Sequence, residues 1–268
     1  MPGYLVSAQF PGGMDMLAGD GAGPGDPQAN LALEEALVRA APVRPVLRIW
    51  RSSACVVIGR AQRVAREVNL AACAADGVSV LRRASGGGTV YQDPGNLNIS
   101  VAVPGRAADL AGELAALLAG VLTRLGLTPS IGSRGVFVGP AKVSGLASQV
   151  TRDGSLAHAT LLVATPAGRI LTYLAPAPPD RHPTDSRRCA TTALQAVDPA
   201  LGMAACQHAV LAEAAARYGP LGSRPLRAAE RSWQERLLAE RYRQDSWHRT
   251  GRCEEASWTR RPVLISTG

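Results

Sequence analysis

The sequence predicts an α+β fold in which a mixed β-sheet is flanked by helices. Two observations favour this class. Apolar runs with strand character and segments with helical periodicity follow each other in an irregular order, and some strands are adjacent whereas others are separated by a helix. The chain has 268 residues and 46% hydrophobic content, which suffices for one large domain, or one domain with a small appendage, with its own core.

The first elements follow a stretch rich in Gly, Pro and Asp, and residues 1–27 are expected to form a flexible N-terminal segment. Helical periodicity begins in "NLALEEAL", with Asn30 as the N-cap. Two β-runs come next, "VLRIW" and "ACVVIGRAQ", the second of which ends at Gly59. A helix through "VAREVNLAACAADG" is predicted to end at Gly77.

The strand "VSVLRR" leads into three consecutive glycines. Beyond them we predict a β-hairpin, with "TVYQ" and "LNISVAV" as its strands and "DPGN" as its turn. Between Asp109 and Leu125, apolar residues recur with helical spacing, which predicts an amphipathic helix that covers one face of the sheet.

The second half of the chain contains strand-like runs and then helices. The runs are "RGVFVG", "AKVSGLASQV", "AHATLLVA" and "RILTYL". Helical patterns follow in "QHAVLAEAAARY" and "AAERSWQERLLAERY". We therefore expect one domain over residues 28–250 and a C-terminal tail over residues 251–268.

Composition and charge narrow the classes of function. The formal charge of +8 suits an acidic partner, although arginine bias alone would also produce it. Aromatic residues make up only 4% and no basic run is interleaved with them, so no nucleic-acid partner is expected. The five cysteines contain no CxxC pair and accompany four histidines, which predicts neither a zinc site nor a disulfide framework. No apolar stretch reaches the roughly 18 residues of a membrane span and no signal peptide precedes the domain, so we expect a cytoplasmic protein without a membrane partner.

The stretch "RRASGGGTVYQDPGN" is the first candidate site. Each of the three glycines costs about 1 kcal/mol relative to alanine when it is ordered. Without Cβ atoms their backbone N–H groups can approach an anion closely, and Arg82 and Arg83 add charge and bidentate donors. The alternative is a tight turn or bulge without a ligand. The stretch is neither a P-loop nor a dinucleotide fingerprint, because it lacks the Lys-Ser/Thr ending and no helix opens after it.

The second candidate site is "GPAKVSGLAS", which contains the only lysine of the chain, since every other one of the 29 basic residues is arginine. Lysine is a compact point charge that can follow a carboxylate into a phosphoanhydride, whereas arginine prefers a fixed fork. We therefore predict Lys142 as a catalytic residue. The alternative is that a biased composition happens to retain one lysine.

These motifs together resemble the lipoate-protein ligase A family, in the biotin and lipoate ligase group that also contains the octanoyltransferases. The resemblance spans about residues 28–249 and rests on "RRASGGGTVYQDPGNLNIS", "AKVSGLASQ" and "HATLLV", supported by "NLALEEAL", "LRIW", "VVIGRAQ" and "LAERYRQDSW". It implies a catalytic domain of the biotin/lipoate ligase type, with an apolar tunnel for the acid's tail and the carboxylate near the glycines and the lysine.

The resemblance further implies a ligase that uses ATP and Mg²⁺ to activate lipoate or octanoate as the acyl-adenylate. The acyl group would then pass to a lysine of an apo lipoyl domain of a 2-oxoacid dehydrogenase or of the glycine cleavage H protein. Lys142 would contact the carboxylate and then the α-phosphate. The residues implied to line the acyl-adenylate site are Arg83, Ser85, Gly86, Gly87, Gly88, Ser144, Gly145, His158 and Thr160.

Two departures from the family pattern leave alternatives open. Gln92 stands where the family usually has a histidine, so any role that needs an imidazole there is lost. About twenty residues follow "DSWHR", too few for the accessory C-terminal domain of bacterial ligases. We therefore expect either a separate accessory subunit or a pre-activated acyl donor.

An octanoyl or lipoyl acyltransferase would instead form a thioester on a cysteine. Cys189, beside Arg187 and Arg188, is the possible nucleophile. It is displaced from the nucleophile position of the octanoyltransferases, which corresponds to residues 184–186. His158 could face the pocket or be a structural histidine, and a third alternative is a non-catalytic lipoate-binding subunit. The cysteines expected in the core are Cys55, Cys73 and Cys206.

Overall fold

The computed structural model describes residues 13–18, 23–133 and 135–253, and its strands and helices form the predicted α+β fold. The strands are β1 Met14–Leu17, β2 Pro24–Gly25, β3 Val46–Ser52, β4 Cys55–Ile58, β5 Ser79–Arg82, β6 Val90–Gln92, β7 Asn96–Pro104, β8 Pro129–Gly132, β9 Gly135–Val138, β10 Ala141–Val150, β11 Gly154–Leu162 and β12 Leu221–Arg224. The helices are α1 Pro27–Arg39, α2 Val64–Glu67, α3 Leu70–Ala75, α4 Leu110–Arg124, α5 Ala167–Tyr173, α6 Leu194–Val197, α7 Met203–Tyr218, α8 Ala228–Leu237, the π-helical turn Leu238–Tyr242 and α9 Asp245–Thr250.

The strands form two sheets. The larger sheet is mixed and has the order β12, β1, β3, β7, β11, β10, β9, β8, with the short β2 also paired to β3. Its pairs are parallel around β1 and antiparallel from β3 to β8. The smaller sheet has the order β5, β4, β6.

Helices cover both faces of the larger sheet. The main core lies between this sheet and the helices α4 and α7, where Leu114, Leu118 and Val121 of α4 are buried. The helix α4 thus covers the sheet as predicted, and Asp109 caps it by accepting the N–H of Gly112. On the opposite face, α1 packs its apolar side against β3, β7 and β11. Within the described ranges, no helix has the length and apolarity that a membrane crossing requires.

The N-terminal predictions need two corrections. Met14–Leu17, inside the segment predicted to be flexible, forms a buried strand between β12 and β3, because a four-residue strand has too short a pattern to detect. The helix α1 begins at Pro27 and is capped by Asp26, not by Asn30. Residues 1–12 and 19–22 of that segment, and residues 254–268 of the predicted tail, lie outside the described ranges.

Three predictions in the middle of the chain are also wrong. The predicted hairpin does not form, because β6 pairs with β4 in the smaller sheet whereas β7 pairs with β3 and β11 in the larger one. The "DPGN" turn therefore carries the chain from one sheet to the other. The run "RILTYL" belongs to the helix α5, and the single helix predicted before Gly77 is divided into α2 and α3.

Buried charges attach the C-terminal helices to α1. The carboxylate of Glu35 accepts two hydrogen bonds from Nη1 of Arg241, at 2.5 and 2.7 Å, and one from the hydroxyl of Tyr242 at 2.8 Å. Both charged side chains are almost fully buried. Each charge therefore depends on the other, because neither is exposed to water that could solvate it if its partner were removed.

Replacement of Glu35 by alanine should lower the free energy of unfolding by about 3 kcal/mol, since it removes the carboxylate that neutralises the buried Arg241. Urea denaturation measures the loss. The matched control is Asp245→Ala, whose ion pair with Arg249 is largely exposed and should contribute nothing measurable. An equal loss in both variants would contradict this assignment.

Candidate active site

A cavity of about 610 Å³ lies between the two sheets. The smaller sheet and α1 supply one wall, with the apolar side chains of Leu31, Val57 and Val90. The larger sheet forms the floor, where the strand register places Gly145, Thr160, Asn98 and Trp50 in one row across β10, β11, β7 and β3. The helix α5 and residues 186–189 and 191 add to the lining.

Arg83 lies buried beneath the glycine loop. Its guanidinium donates to the carbonyls of Gly86 at 2.5 Å and Gly88 at 2.8 Å, and Nε donates to Oγ of Ser85 at 3.0 Å. Burial lowers the pKa of Arg83 to about 10, partly offset by the negative charge of Glu34. Arg83 therefore remains charged at neutral pH, and its hydrogen bonds shape the loop.

Arg82 has a structural role, so the prediction that it supplies charge to an anion is wrong. Its guanidinium lies in a nest of backbone carbonyls and donates to those of Gly59, Arg60, Gln62, Trp247 and Arg249. The backbone of Arg82 also pairs with the side chains of Trp247 and His248. This arginine therefore joins the start of the glycine loop to the C-terminal helices.

The three glycines differ in what they require. Gly87 has φ of +84°, and a Cβ there would lie 3.1 Å from both the Cβ of Ala147 and Nη2 of Arg83. A Cβ at Gly88 would lie 2.9 Å from Oγ of Ser186. Gly86 faces open space. A side chain would therefore crowd protein neighbours at Gly87 and Gly88 but not at Gly86. The approach of their N–H groups to an anion stays a prediction.

Hydrogen bonds of Ser186 and Gln62 hold the segment after Pro183 against the glycine loop. Oγ of Ser186 accepts from the backbone N–H of Thr89 at 2.7 Å and from Nε2 of Gln62 at 3.0 Å. Oε1 of Gln62 in turn accepts from the N–H of Gly59 and from the hydroxyl of Thr89. No role was predicted for the side chains of Gln62 and Ser186, although Gln62 ends the quoted motif "VVIGRAQ" and Ser186 lies in the range 184–186 that corresponds to the octanoyltransferase nucleophile.

Lys142 is fixed by its backbone on two sides. The strand β10 pairs with β9, with a bulge between Lys142 and Ser144. The backbone N–H and carbonyl of Lys142 form hydrogen bonds with the segment 190–192. Its side chain occupies space that two glycines leave: a Cβ at Gly135 would overlap Cε, and a Cβ at Gly145 would lie 3.5 Å from Nζ. Gly145 also donates its N–H to Oγ1 of Thr160 at 3.2 Å. The site thus accommodates a slender lysine chain.

His158 lies on the floor of the cavity and uses both ring nitrogens. Nε2 contacts Oγ of Ser85 at 2.7 Å, and Nδ1 contacts Oε2 of Glu34 at 2.9 Å. Burial alone would raise the pKa of Glu34, but His158, Ser100 and Arg48 outweigh it and hold that pKa below its ordinary value. The histidine is therefore both cavity-lining and structurally bonded, and it connects the floor to the glycine loop.

One cysteine lines the cavity and three others are buried. Cys189 is exposed and lines the cavity at residues 186–191, next to Arg188, whose guanidinium bonds the carboxylate of Glu67 at 3.1 Å. Burial raises the pKa of the Cys55 thiol to about 12 and that of Cys206 to about 11, which makes them poor nucleophiles. The cysteines confirmed as buried are Cys55, Cys73 and Cys206.

The cavity brings together most of the predicted site residues. Ser85 reaches the floor through its contact with His158, and Gly86 lines a neighbouring cavity of about 600 Å³ that shares Gly87 with the main one. The residues that sequence analysis missed as cavity lining include Glu34, Trp50, Asn98 and Ser186. The predicted residues that line the main cavity are Arg83, Gly87, Gly88, Lys142, Ser144, Gly145, His158, Thr160 and Cys189.

A largely apolar cavity, partly open to solvent and with a few polar groups such as Lys142 on its lining, is typical of a site for a small molecule. The family model of the lipoyl protein ligase A/B catalytic domain matches residues 26–215. The chain belongs to this family.

Individual relatives agree with this membership. A protein of Aeropyrum pernix, classed as a lipoate-protein ligase A without an established activity, is 40% identical over 157 residues, which make up 57% of this chain and 60% of that protein. A bi-partite lipoate protein ligase from Thermoplasma acidophilum superposes with a TM-score of 0.75 at 25% identity, covering 94% of this chain and 99% of that one. A lipoate-protein ligase A bound with ATP gives 0.76 at 24% identity, with 88% and 98% covered. These structures confirm the expected fold.

Replacement of Gly87 by alanine should lower the free energy of unfolding by about 1–2 kcal/mol, because its positive φ is strained for any residue with a Cβ. Thermal denaturation measures the effect. Gly86→Ala is the matched control, since its Cβ would face open space, and it should cost clearly less. The reverse ranking would contradict the loop geometry.

Glu34 should make the fold sensitive to acid. Its pKa is below the ordinary 4.5 in the folded protein, so the unfolded chain takes up the proton first. The stabilisation is complete above about pH 4.5 and is lost as the pH falls through the lower pKa of the folded state. Urea denaturation over a pH series should therefore show a steeper acid loss for the wild type than for Glu34→Gln. Parallel profiles would contradict the assignment.

Proposed function

We propose that this chain is a lipoate-protein ligase that activates lipoate, or octanoate, with MgATP and transfers the acyl group to a lysine of a lipoyl domain. The observation that carries the proposal is that Lys142 and the glycine loop line the same largely apolar cavity, with the lysine side chain packed against Gly135 and Gly145. The relatives support it, because one is solved with ATP and another is described as part of an archaeal lipoylation system.

Formation of the acyl-adenylate brings two anions together, the carboxylate of the acid and the α-phosphate of ATP. A carboxylate oxygen of the acid attacks the α-phosphorus of ATP, the bond to the β-phosphate breaks, and pyrophosphate leaves. The ammonium group of Lys142 would offset the repulsion between the anions and stabilise the charge that develops on the α-phosphate. The N–H groups of the glycine loop would supply further donors.

The second step transfers the acyl group. The amine of the carrier lysine attacks the acyl carbonyl, AMP leaves, and an amide bond forms. The mixed anhydride would otherwise react with water, and an apolar lining that keeps water away from it would protect it. The hydrogen bonds that run from Arg83 through Ser85 and His158 to Glu34 would hold the loop and the floor in register during both steps.

The metal in this proposal enters with the nucleotide. Within the described ranges, no three His, Cys, Asp or Glu side chains are grouped to hold a metal ion. Mg²⁺ is typically bound by substrate phosphates with only one or two protein carboxylates. We therefore treat MgATP as a substrate and assign the protein no resident metal site.

The partners we propose are apo lipoyl domains of 2-oxoacid dehydrogenases or the glycine cleavage H protein. The formal charge of +8 would suit an acidic carrier surface. A separate accessory subunit is part of the proposal, because the related ligase of T. acidophilum is bi-partite and is described with its E2 lipoyl domain.

A second candidate function is acyl transfer through a thioester on Cys189. The exposed position of this thiol on the lining of the cavity favours it. Such an enzyme would take its acyl group from a carrier thioester and would need no ATP. A non-catalytic lipoate-binding subunit is the third candidate and would bind the acid without either reaction.

Lys142→Ala should reduce pyrophosphate release from lipoate and MgATP by about 100-fold or more, because it removes the charge that offsets the anions. Lys142→Arg should not restore the rate, since the glycines beside Lys142 leave room for a slender chain only. Pyrophosphate release and acylation of an apo lipoyl domain are both measured, with and without a candidate accessory subunit.

The control is Cys189→Ser, which should retain ligation. Activity only with an acyl-carrier thioester, abolished by Cys189→Ser, would replace the ligase proposal with the transferase. Lipoate binding without either activity would support the non-catalytic subunit instead.

A further inference from the structure

Asn98 lies across the cavity floor from Lys142. The register aligns Gly145 with Thr160 and Thr160 with Asn98. Neighbouring strands are about 4.8 Å apart, which places Asn98 roughly 10 Å from Gly145. Nζ of Lys142 lies beside Gly145, 3.5 Å from the position of a Cβ there. An extended octanoyl chain that starts at Lys142 is comparable in length and can end near Asn98.

The amide of Asn98 is oriented by donors that come from both sheets. Nε2 of Gln92, at the end of β6, donates to Oδ1 of Asn98 at 3.0 Å, and Nδ2 of Asn96 donates to the same oxygen at 3.0 Å. Asn98 is 2% exposed and lines the cavity. Its Nδ2 has no hydrogen-bond partner in the part of the chain that the structure describes. A buried donor is therefore available to an acceptor on a bound acid.

The neighbour of Asn98 on the floor is aromatic. Trp50 pairs with Asn98 across β3 and β7, lines the cavity, and is held by a hydrogen bond from its indole N–H to Oγ of Ser100 at 2.9 Å. Sulfur atoms make favourable contacts with aromatic rings and accept weak hydrogen bonds. An amide donor next to an indole is thus a suitable environment for a sulfur-containing group.

We infer that Asn98, oriented by Gln92, is a specificity-determining residue that favours acids whose chain ends in a dithiolane over acids that end in hydrocarbon. The inference rests on the proposed function, because it takes Lys142 as the carboxylate end of the site. A sulfur atom can accept the hydrogen bond of Nδ2, whereas a methylene or methyl group leaves the buried donor unsatisfied. The low polarity around the cavity increases the cost of that mismatch.

Two acids of similar shape test the inference by isothermal titration calorimetry on the full-length chain. They are R-lipoate and cyclopentylpentanoate, in which a cyclopentane ring replaces the dithiolane. The wild type should bind lipoate roughly tenfold more tightly. Asn98→Leu should reduce that preference to less than about threefold through weaker lipoate binding. Gln92→Met should also reduce the preference for lipoate, because the Asn98 amide loses one of its orienting donors. This variant tests the inference if Asn98→Leu does not fold.

The matched control is Leu31→Val, which changes the shape of the apolar wall without changing its polarity. It should alter both affinities together and preserve their ratio. A wild type without a preference for lipoate, or an undiminished preference in Asn98→Leu, would overturn the inference and leave the ligase proposal standing. If neither acid binds the wild type, the proposed function fails and the inference fails with it.

Discussion

The buried guanidinium of Arg83 is the interaction on which the site depends. A charge that is removed from water must be compensated, and here backbone carbonyls of the glycine loop and the hydroxyl of Ser85 do so. Because those carbonyls turn inward to Arg83, the loop is held in a conformation that positive φ at Gly87 permits. The same hydroxyl contacts His158, whose other nitrogen contacts Glu34. One buried charge thus joins the loop, the cavity floor and α1.

The cavity exists because the chain leaves one sheet for the other. The strand β6 ends in the smaller sheet, the "DPGN" turn crosses the gap, and β7 continues in the larger sheet. A hairpin over the same residues would have brought these strands together and closed the space. The hydrogen bond from Gln92, at the end of β6, to Asn98 in β7 spans this crossing and connects the two sheets. Gln92 is the residue that stands where the family usually has a histidine.

Sequence reasoning predicted those parts of the fold and site whose signals are local. The amphipathic helix over residues 110–124, the strands around Lys142 and His158, and the buried cysteines have periodicity or composition of their own. What it missed depends on contacts between distant residues. The predicted hairpin has the same local pattern as a crossing between sheets, and nothing near Arg82 indicates that its donors turn to the carbonyls of the C-terminal helices. Ser186 belongs to the site only because Gln62 and Thr89 hold it there.

A crystal structure of the chain with a non-hydrolysable lipoyl-adenylate analogue tests the central claim most directly. The account predicts that the phosphate group lies within hydrogen-bond distance of Nζ of Lys142 and next to the glycine loop, with the acyl chain extended over Thr160 toward Asn98 and Trp50. An acyl chain in the neighbouring cavity that Gly86 lines, or a phosphate group remote from Lys142, would contradict it.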